Sequence, residues 1–118
     1  MASDMEPKVR QTYLYDFYGE LLNEHQRKIF EAFVFDDLSL GEIAGEQDIS
    51  RQAVFDLIKR STKKLEEYEN KLHLLQRFLE LREKAVSIQQ RAEAYEHSHE
   101  ERLLTEIKQL SGEIIEEL

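Results

Sequence analysis

Seven side chains within residues 51–64 have the chemistry needed to bind a nucleic acid or a protein partner. Guanidinium and amide groups can form paired hydrogen bonds with base edges in a DNA major groove, and ammonium groups can neutralise phosphates. An exposed aromatic ring surrounded by cations can instead anchor a protein. The candidate binding residues are Arg51, Gln52, Phe55, Lys59, Arg60, Lys63 and Lys64.

The sequence around these residues predicts two helices joined by a tight turn. Ser39 and Glu42 have the spacing of a capping box, so a first helix begins at about residue 40. Ser50 can cap a second helix by accepting a hydrogen bond from the backbone N–H near Ala53. Only residues 47–49 are left for the turn, and we therefore predict a helix-turn-helix.

Asp48 stands in this turn where many such turns carry glycine, and aspartate tolerates a left-handed backbone better than most residues. The apolar residues fall where two crossed helices need them, which leaves most of the candidate binding residues on the solvent side of the second helix. The apolar residues are Ile43, Ala44, Ile49, Val54, Leu57 and Ile58.

The composition of the 118 residues predicts an all-α protein, because the chain has one proline, four glycines and abundant leucine, glutamate, lysine and glutamine. Apolar stripes predict two helices ahead of the motif, with Asn23 and Gln26 as a second capping box. We expect these four helices to form an N-terminal helix-turn-helix bundle over residues 10–68. A flexible N-terminus would precede it over residues 1–9, with Pro7 outside every helix.

Residues 69–118 are predicted to form a C-terminal helical extension. We expect the second motif helix to run well past Lys64, because no proline or glycine follows Ser50 before Gly112. The apolar stripe shifts near residues 75–78, which means either a change of face or a break, and a last helix follows the polar residues 96–101. Exposed stripes of this length favour a homodimer through the C-terminal helices, and a monomeric hairpin folded back on the bundle is the alternative.

The net charge of −9 argues against a protein that coats nucleic acids non-specifically. The charge is, however, unevenly distributed along the chain. Residues 51–64 carry five basic side chains and one acidic side chain. This basic cluster fits a surface that binds a nucleic acid. It fits equally well the general preference for cations near a helix C-terminus. Asp56 would either repel phosphate or pair with Lys59 or Arg60. The acidic residues further along are expected to lie on a solvated face with neighbouring lysines as partners: Glu66, Glu67 and Glu69.

The residue types present do not predict catalysis, a metal or a cofactor. The chain has no cysteine, which excludes disulfides and fits a reducing compartment. His97 and His99 are two residues apart, so on a helix they point to different faces and cannot easily share a metal. We find no activated nucleophile and no glycine-rich phosphate loop. We therefore expect a non-enzyme, and a cytoplasmic one, because no leader or bilayer-spanning apolar run is evident.

A resemblance to the bacterial YlxM family of small helix-turn-helix proteins covers residues Leu21 to Leu74, LLNEHQRKIFEAFVFDDLSLGEIAGEQDISRQAVFDLIKRSTKKLEEYENKLHL, with SRQAVFDLIKR as its closest part. From about Gln76 onward the chain resembles the family only in being helical and acidic. The motif is also similar, more weakly, to the DNA-binding region 4 of sigma factors. That similarity is carried by Leu22, Gln26, Arg27, Glu42-Ile43-Ala44, Ile49-Ser50-Arg51, Val54 and Lys59-Arg60.

The YlxM resemblance implies an accessory or regulatory role in the signal recognition particle pathway, with the particle's GTPase subunit and its RNA as partners. The sigma-factor similarity implies a promoter-reading fold. Two alternatives remain open: a dimeric DNA-binding transcription regulator whose motif helices enter successive major grooves about 34 Å apart, and a protein-interaction adaptor. The basic residues implied in contacts are Arg51, Lys59, Arg60, Lys63 and Lys64.

Overall fold

Helices account for nearly all of residues 5–118, which the computed structural model describes. Within these residues there is no strand, and the predicted all-α class is confirmed. The chain divides into two compact units between Leu75 and Gln76. The helices are α1 (Pro7–Tyr18), α2 (Glu24–Val34), α3 (Leu40–Gln47), α4 (Arg51–Leu72), α5 (Leu74–Ser98) and α6 (Glu101–Glu117), and a 3-10 turn (Gly19–Leu21) lies between α1 and α2.

The first helix begins earlier than the sequence predicted. Pro7 opens α1 instead of lying outside every helix. Proline fits this position because the first N–H groups of a helix have no intrahelical partner, so nothing is lost by its missing donor. The prediction of a flexible N-terminus over residues 1–9 therefore does not hold for residues 7–9, while residues 1–4 lie outside the described residues.

The first unit is a bundle of α1 to α4, in which α1 and α2 pack against the two motif helices. Phe30 of α2 is fully buried, and its ring stacks on Tyr15 of α1 with 5.5 Å between the ring centroids. Gly19 is needed beside this pair, because a Cβ there would lie 2.7 Å from the ring of Tyr15. The close packing of α1 on α2 thus supports the motif helices α3 and α4.

A break separates α4 from α5. The shift of the apolar stripe predicted from the sequence is therefore a helix break and not a change of face along one helix. His73 has a left-handed backbone with φ 57° and ends α4, and α5 starts at the next residue. The break lies two residues before the predicted stretch 75–78. The predicted boundary between residues 68 and 69 falls inside α4, because that helix continues to Leu72.

Two buried polar side chains cap the start of α5. The hydroxyl of Tyr18 donates to Oε1 of Glu69 at 2.6 Å and accepts from the backbone N–H of Leu74 at 3.1 Å. The N–H of Leu75 donates to the same carboxylate oxygen at 2.9 Å. Burial, followed by the hydrogen bond to Glu69, raises the pKa of Tyr18. The expectation that Glu69 lies on a solvated face is wrong, since it is only 5% exposed.

Tyr18→Phe should destabilise the first unit by about 1.5–3 kcal/mol, because a buried carboxylate loses a donor and the N–H of Leu74 loses its acceptor. Hydrogen exchange at the amides of residues 74 and 75 should accelerate accordingly. Tyr95→Phe is the matched control on α5, and its exchange at these two amides should equal that of the parent. Unchanged exchange in Tyr18→Phe would show that the hydroxyl contributes nothing at this joint.

The second unit, residues 76–118, is an antiparallel pair formed by α5 and α6. Arg91 of α5 pairs with Glu106 of α6 at 2.8 Å, and Lys84, two turns earlier, pairs with Glu113 and Glu117 further along α6. The reversed order of these partners fixes the antiparallel arrangement. Such partly exposed pairs set register more than they add stability, and the apolar seam includes Leu103, which is buried.

Lowering the pH should break the ion pair between Arg91 and Glu106 when the Glu106 carboxylate becomes protonated. The hydrogen bond from Arg91 lowers the pKa of Glu106, and the neighbouring Arg102 lowers it further. A carboxyl whose pKa is depressed by folding stabilises the fold above its unfolded pKa and loses that contribution as the pH falls through the folded value. In an NMR titration, Arg91→Gln should raise the pKa of Glu106 toward its ordinary value. Arg82→Gln, a control on the same helix, should leave it unchanged.

Candidate nucleic-acid interface

Local hydrogen bonds define the starts of both motif helices, as predicted. Ser39 Oγ accepts from the N–H of Glu42, and Glu42 Oε1 accepts from the N–H of Ser39, both at 3.1 Å. Ser50 Oγ accepts from the N–H of Ala53 at 3.0 Å. These contacts satisfy N–H groups that a helix start leaves unpaired, so the sequence itself specifies where α3 and α4 begin.

Asp48 makes the turn between the two helices. Its backbone is left-handed, with φ 55° and ψ 45°, and its N–H donates to the carbonyl of Ala44. The N–H of Ile49 reaches the same carbonyl at 3.1 Å. Aspartate therefore performs here the role that glycine has in many helix-turn-helix turns, as predicted.

The buried side of α4 fixes which side faces solvent. Its buried residues recur every three or four positions and pack with residues of α2 and α3 in one apolar cluster. The predicted contacts from both motif helices are all present, with Ala44 small where α3 meets α4. Buried residues of α4 include Val54, Leu57, Ile58, Ser61 and Leu65.

The predicted binding residues form two parallel rows along α4. Residues four apart on a helix are neighbours, so one row runs through 51, 55, 59 and 63 and the adjacent row through 52, 56, 60 and 64. All of these residues are exposed except Lys64, which is half-buried. The first row is Arg51, Phe55, Lys59 and Lys63, and the second is Gln52, Asp56, Arg60 and Lys64. We call these eight residues the α4 face.

The carboxylate of Asp56 does not pair with Lys59 or Arg60, which was one of the two expectations for it. Its carboxylate accepts from the side-chain amide of Gln52 at 3.0 Å, and Arg60 bonds only to its backbone carbonyl, at 3.4 Å. This bond uses one of the two N–H groups of the Gln52 amide and restricts the orientation in which the amide can pair with an adenine edge. The carboxylate remains a negative charge between two cationic positions, which disfavours close approach of a phosphate at that point.

Arg51 lies toward α3 and not at the far edge of the α4 face. A Cβ built on Gly41 would be 3.5 Å from Nε of Arg51, so the guanidinium passes over the start of α3. That position still leaves the side chain exposed. A ligand contacting Arg51 would therefore also approach the N-terminus of α3, whose first N–H groups favour negative charge.

Two acidic residues beyond the motif, Glu66 and Glu69, are engaged elsewhere and do not neutralise the α4 face, which sequence reasoning missed. Glu66 is paired with Arg10 of α1 through two hydrogen bonds of 2.7 Å, and this contact raises the pKa of Arg10. Glu69 is buried against Tyr18. Among residues 5–118, none of Lys59, Arg60, Lys63 and Lys64 has an ion pair within 4.0 Å. Four cations thus stay available.

Residues 5–109 match the family described as UPF0122, "Putative helix-turn-helix protein, YlxM / p13 like". The chain belongs to this family. Three UPF0122 proteins, from Bacillus thuringiensis (strain Al Hakam), Bacillus cereus (strain 03BB102) and Bacillus anthracis (strain A0248), are each 50% identical over 97 residues, covering 82% of this chain and 88% of the relative. The match continues through α5 and into α6, beyond the residues 21–74 on which the sequence resemblance rested.

The UPF0122 family is a helix-turn-helix family and not an enzyme family, and helix-turn-helix proteins typically bind nucleic acids. Within residues 5–118, no group of three or more histidine, aspartate or glutamate side chains is placed to hold a metal ion. Across the same residues, every helix is too short or too polar to span a membrane.

Proposed function

We propose that this protein is a non-enzymatic accessory protein of the signal recognition particle pathway in the cytoplasm, and that the α4 face contacts the RNA of the particle. The observation that carries the proposal is that Lys59, Arg60, Lys63 and Lys64 have no ion pairs among the described residues despite a net charge of −9. Unpaired cations on one face of a helix supply the salt-dependent attraction on which phosphate binding rests.

RNA suits this face better than duplex DNA does. The amide of Gln52, which could read a base in a DNA major groove, is bonded to Asp56, and this weakens base reading there. The major groove of an RNA duplex is too narrow for a helix, so contact would be to the backbone or to an irregular loop. The GTPase subunit is a second proposed partner for the same face.

A dimeric DNA-binding transcription regulator is the second candidate. Arg51 and Gln52 lie exposed in the first turn of α4, where helix-turn-helix proteins place side chains that contact bases. A homodimer through the second unit is part of both proposals. It is supported by large apolar side chains exposed on α5 and α6, which a second copy could cover. These are Val86 (37% exposed), Leu104 (40%) and Ile115 (69%).

Binding of the purified protein to three probes tests the proposal: the particle's RNA, its GTPase subunit, and duplex DNA of matched length. We expect RNA to bind most tightly at low salt, with a slope of log affinity against log salt of about −0.7 per contacted phosphate on unpaired RNA. No binding to the RNA or to the GTPase subunit at low salt would refute the proposal. Tighter and sequence-dependent binding to the DNA would support the regulator instead.

A further inference from the structure

A groove beside α4 in the first unit shares Lys59 and Lys63 with the proposed RNA contact, but its apolar walls have no role in that contact. Its volume of about 590 Å³ lies within the ~300–1,000 Å³ range typical of ligand pockets. The lining comes from α1, α2, α3 and α4 and is mostly apolar, and two lysines lie at the rim. The residues that matter are Phe33, Leu40, Phe55 and Ile58 in the walls and Lys59 and Lys63 at the rim.

The walls of this groove are suited to an apolar side chain. Phe55 is 45% exposed, so its ring stands outside the core, while Ile58 beneath it is buried. The polar side chains of Gln11 and Thr62 also line the groove, but they bond to each other at 3.0 Å. A nucleobase in the groove would lose water from its hydrogen-bonding edges and meet mostly apolar side chains there, which is unfavourable.

The rim carries a positive charge that selects the occupant. Lys59 and Lys63 are one helical turn apart and have no ion pair among the described residues. Lys8 lies nearby, with Nζ 4.5 Å from the centroid of the Phe33 ring, but its charge is offset by Asp37 at 2.5 Å. The complement of two free cations around an apolar groove is a segment with apolar and acidic side chains on one face.

We propose that this groove binds an acidic amphipathic helix of a partner protein. An apolar side chain of that helix packs against Phe55, and carboxylates one turn apart lie beside Lys59 and Lys63, whose own spacing is one turn. Apolar anchors on one face of a helix are the usual means by which a groove of this kind recognises its ligand. The inference goes beyond the RNA contact and does not depend on it.

Occupation of the groove has a consequence for the rest of the α4 face. The partner helix covers Lys59 and Lys63 but leaves Arg51, Arg60 and Lys64 open. Bound protein therefore weakens RNA binding without abolishing it, and RNA weakens the binding of the partner by the same factor, because the two equilibria are linked.

Selection of displayed random 16-residue peptides on the full-length protein tests the inference. We expect the enriched peptides to combine leucine, isoleucine or phenylalanine with two or more acidic residues. In calorimetric titrations of the most enriched peptide, Phe55→Ala and the double variant Lys59→Glu, Lys63→Glu should each weaken binding at least tenfold. Leu72→Ala, which alters another exposed apolar residue of α4, should not change it.

Three results would overturn the inference: no enrichment, enrichment of neutral or basic peptides, or equal affinity of the enriched peptide for the parent and Phe55→Ala. A uridine dodecamer is the RNA probe in the same titrations. If Phe55→Ala weakens its binding as strongly as that of the peptide, the groove belongs to the nucleic acid and the inference also fails. Unchanged RNA affinity in Phe55→Ala keeps the groove separate from the proposed RNA contact.

Discussion

Arg60→Glu combined with Lys63→Glu should reduce the affinity for the particle's RNA several hundredfold at low salt. A unit charge about 4 Å from a phosphate in water is worth roughly fivefold in affinity, and reversal replaces that attraction with a repulsion of similar size. Each reversal therefore lowers the affinity by two fivefold factors, and two reversals lower it by four, which gives roughly several hundredfold. Both side chains are exposed and unpaired among the described residues, so the fold should tolerate the change.

The matched control is the double variant Lys28→Glu, Lys71→Glu. It changes the net charge by the same amount at two exposed positions outside the α4 face. We expect this control to lose much less affinity, because neither side chain belongs to the proposed contact, and even Lys71 is two helical turns, about 10 Å, beyond Lys64, where salt screens much of the interaction. An equal loss in both variants would mean that net charge, and not the α4 face, governs binding.

The salt dependence gives a second measure of the same contact. Removing two phosphate contacts should make the slope of log affinity against log salt shallower by about 1.4 on unpaired RNA. The slope of the control should match that of the parent. A parent slope near zero would exclude phosphate contact and favour protein binding as the role of the α4 face.

Phe30→Ala should cost about 3–5 kcal/mol of stability, the largest effect we expect from any single truncation. The ring is fully buried and stacks on Tyr15, so its removal leaves a cavity between α1 and α2 under the motif. A domain of this size has a stability of only about 5–15 kcal/mol, so the first unit would retain little of it. RNA binding should fall in parallel with the folded fraction.

Hydrogen exchange in the first unit measures this loss better than circular dichroism does, because a chain with two compact units need not unfold in one step. Phe55→Ala is the matched control: the same truncation at a site 45% exposed should cost less than about 1 kcal/mol. Protection in Phe30→Ala equal to that of the parent would show that the α1 and α2 packing does not support the motif.

The motif was predictable because the interactions that define it are local. Ser39 with Glu42 and Asn23 with Gln26 form their hydrogen bonds across three residues, and Ser50 does the same with Ala53. Spacing alone therefore revealed the helix starts. The break at His73 was harder to place, because histidine is not a typical residue for a left-handed helix end and its position depends on the cap that follows.

By itself, the sequence determined the all-α class, the starts of α3 and α4 and the exposed side of α4, since caps and apolar periodicity act within one or two turns. Only the tertiary structure decided whether two acidic residues of α4, Glu66 and Glu69, are exposed, buried or paired. Glu69 is buried by Tyr18, 51 residues earlier, and Glu66 is neutralised by Arg10, 56 residues earlier. It also decided the groove at Phe55, whose lining comes from four helices. Such contacts depend on how helices distant in sequence pack, which no local pattern records.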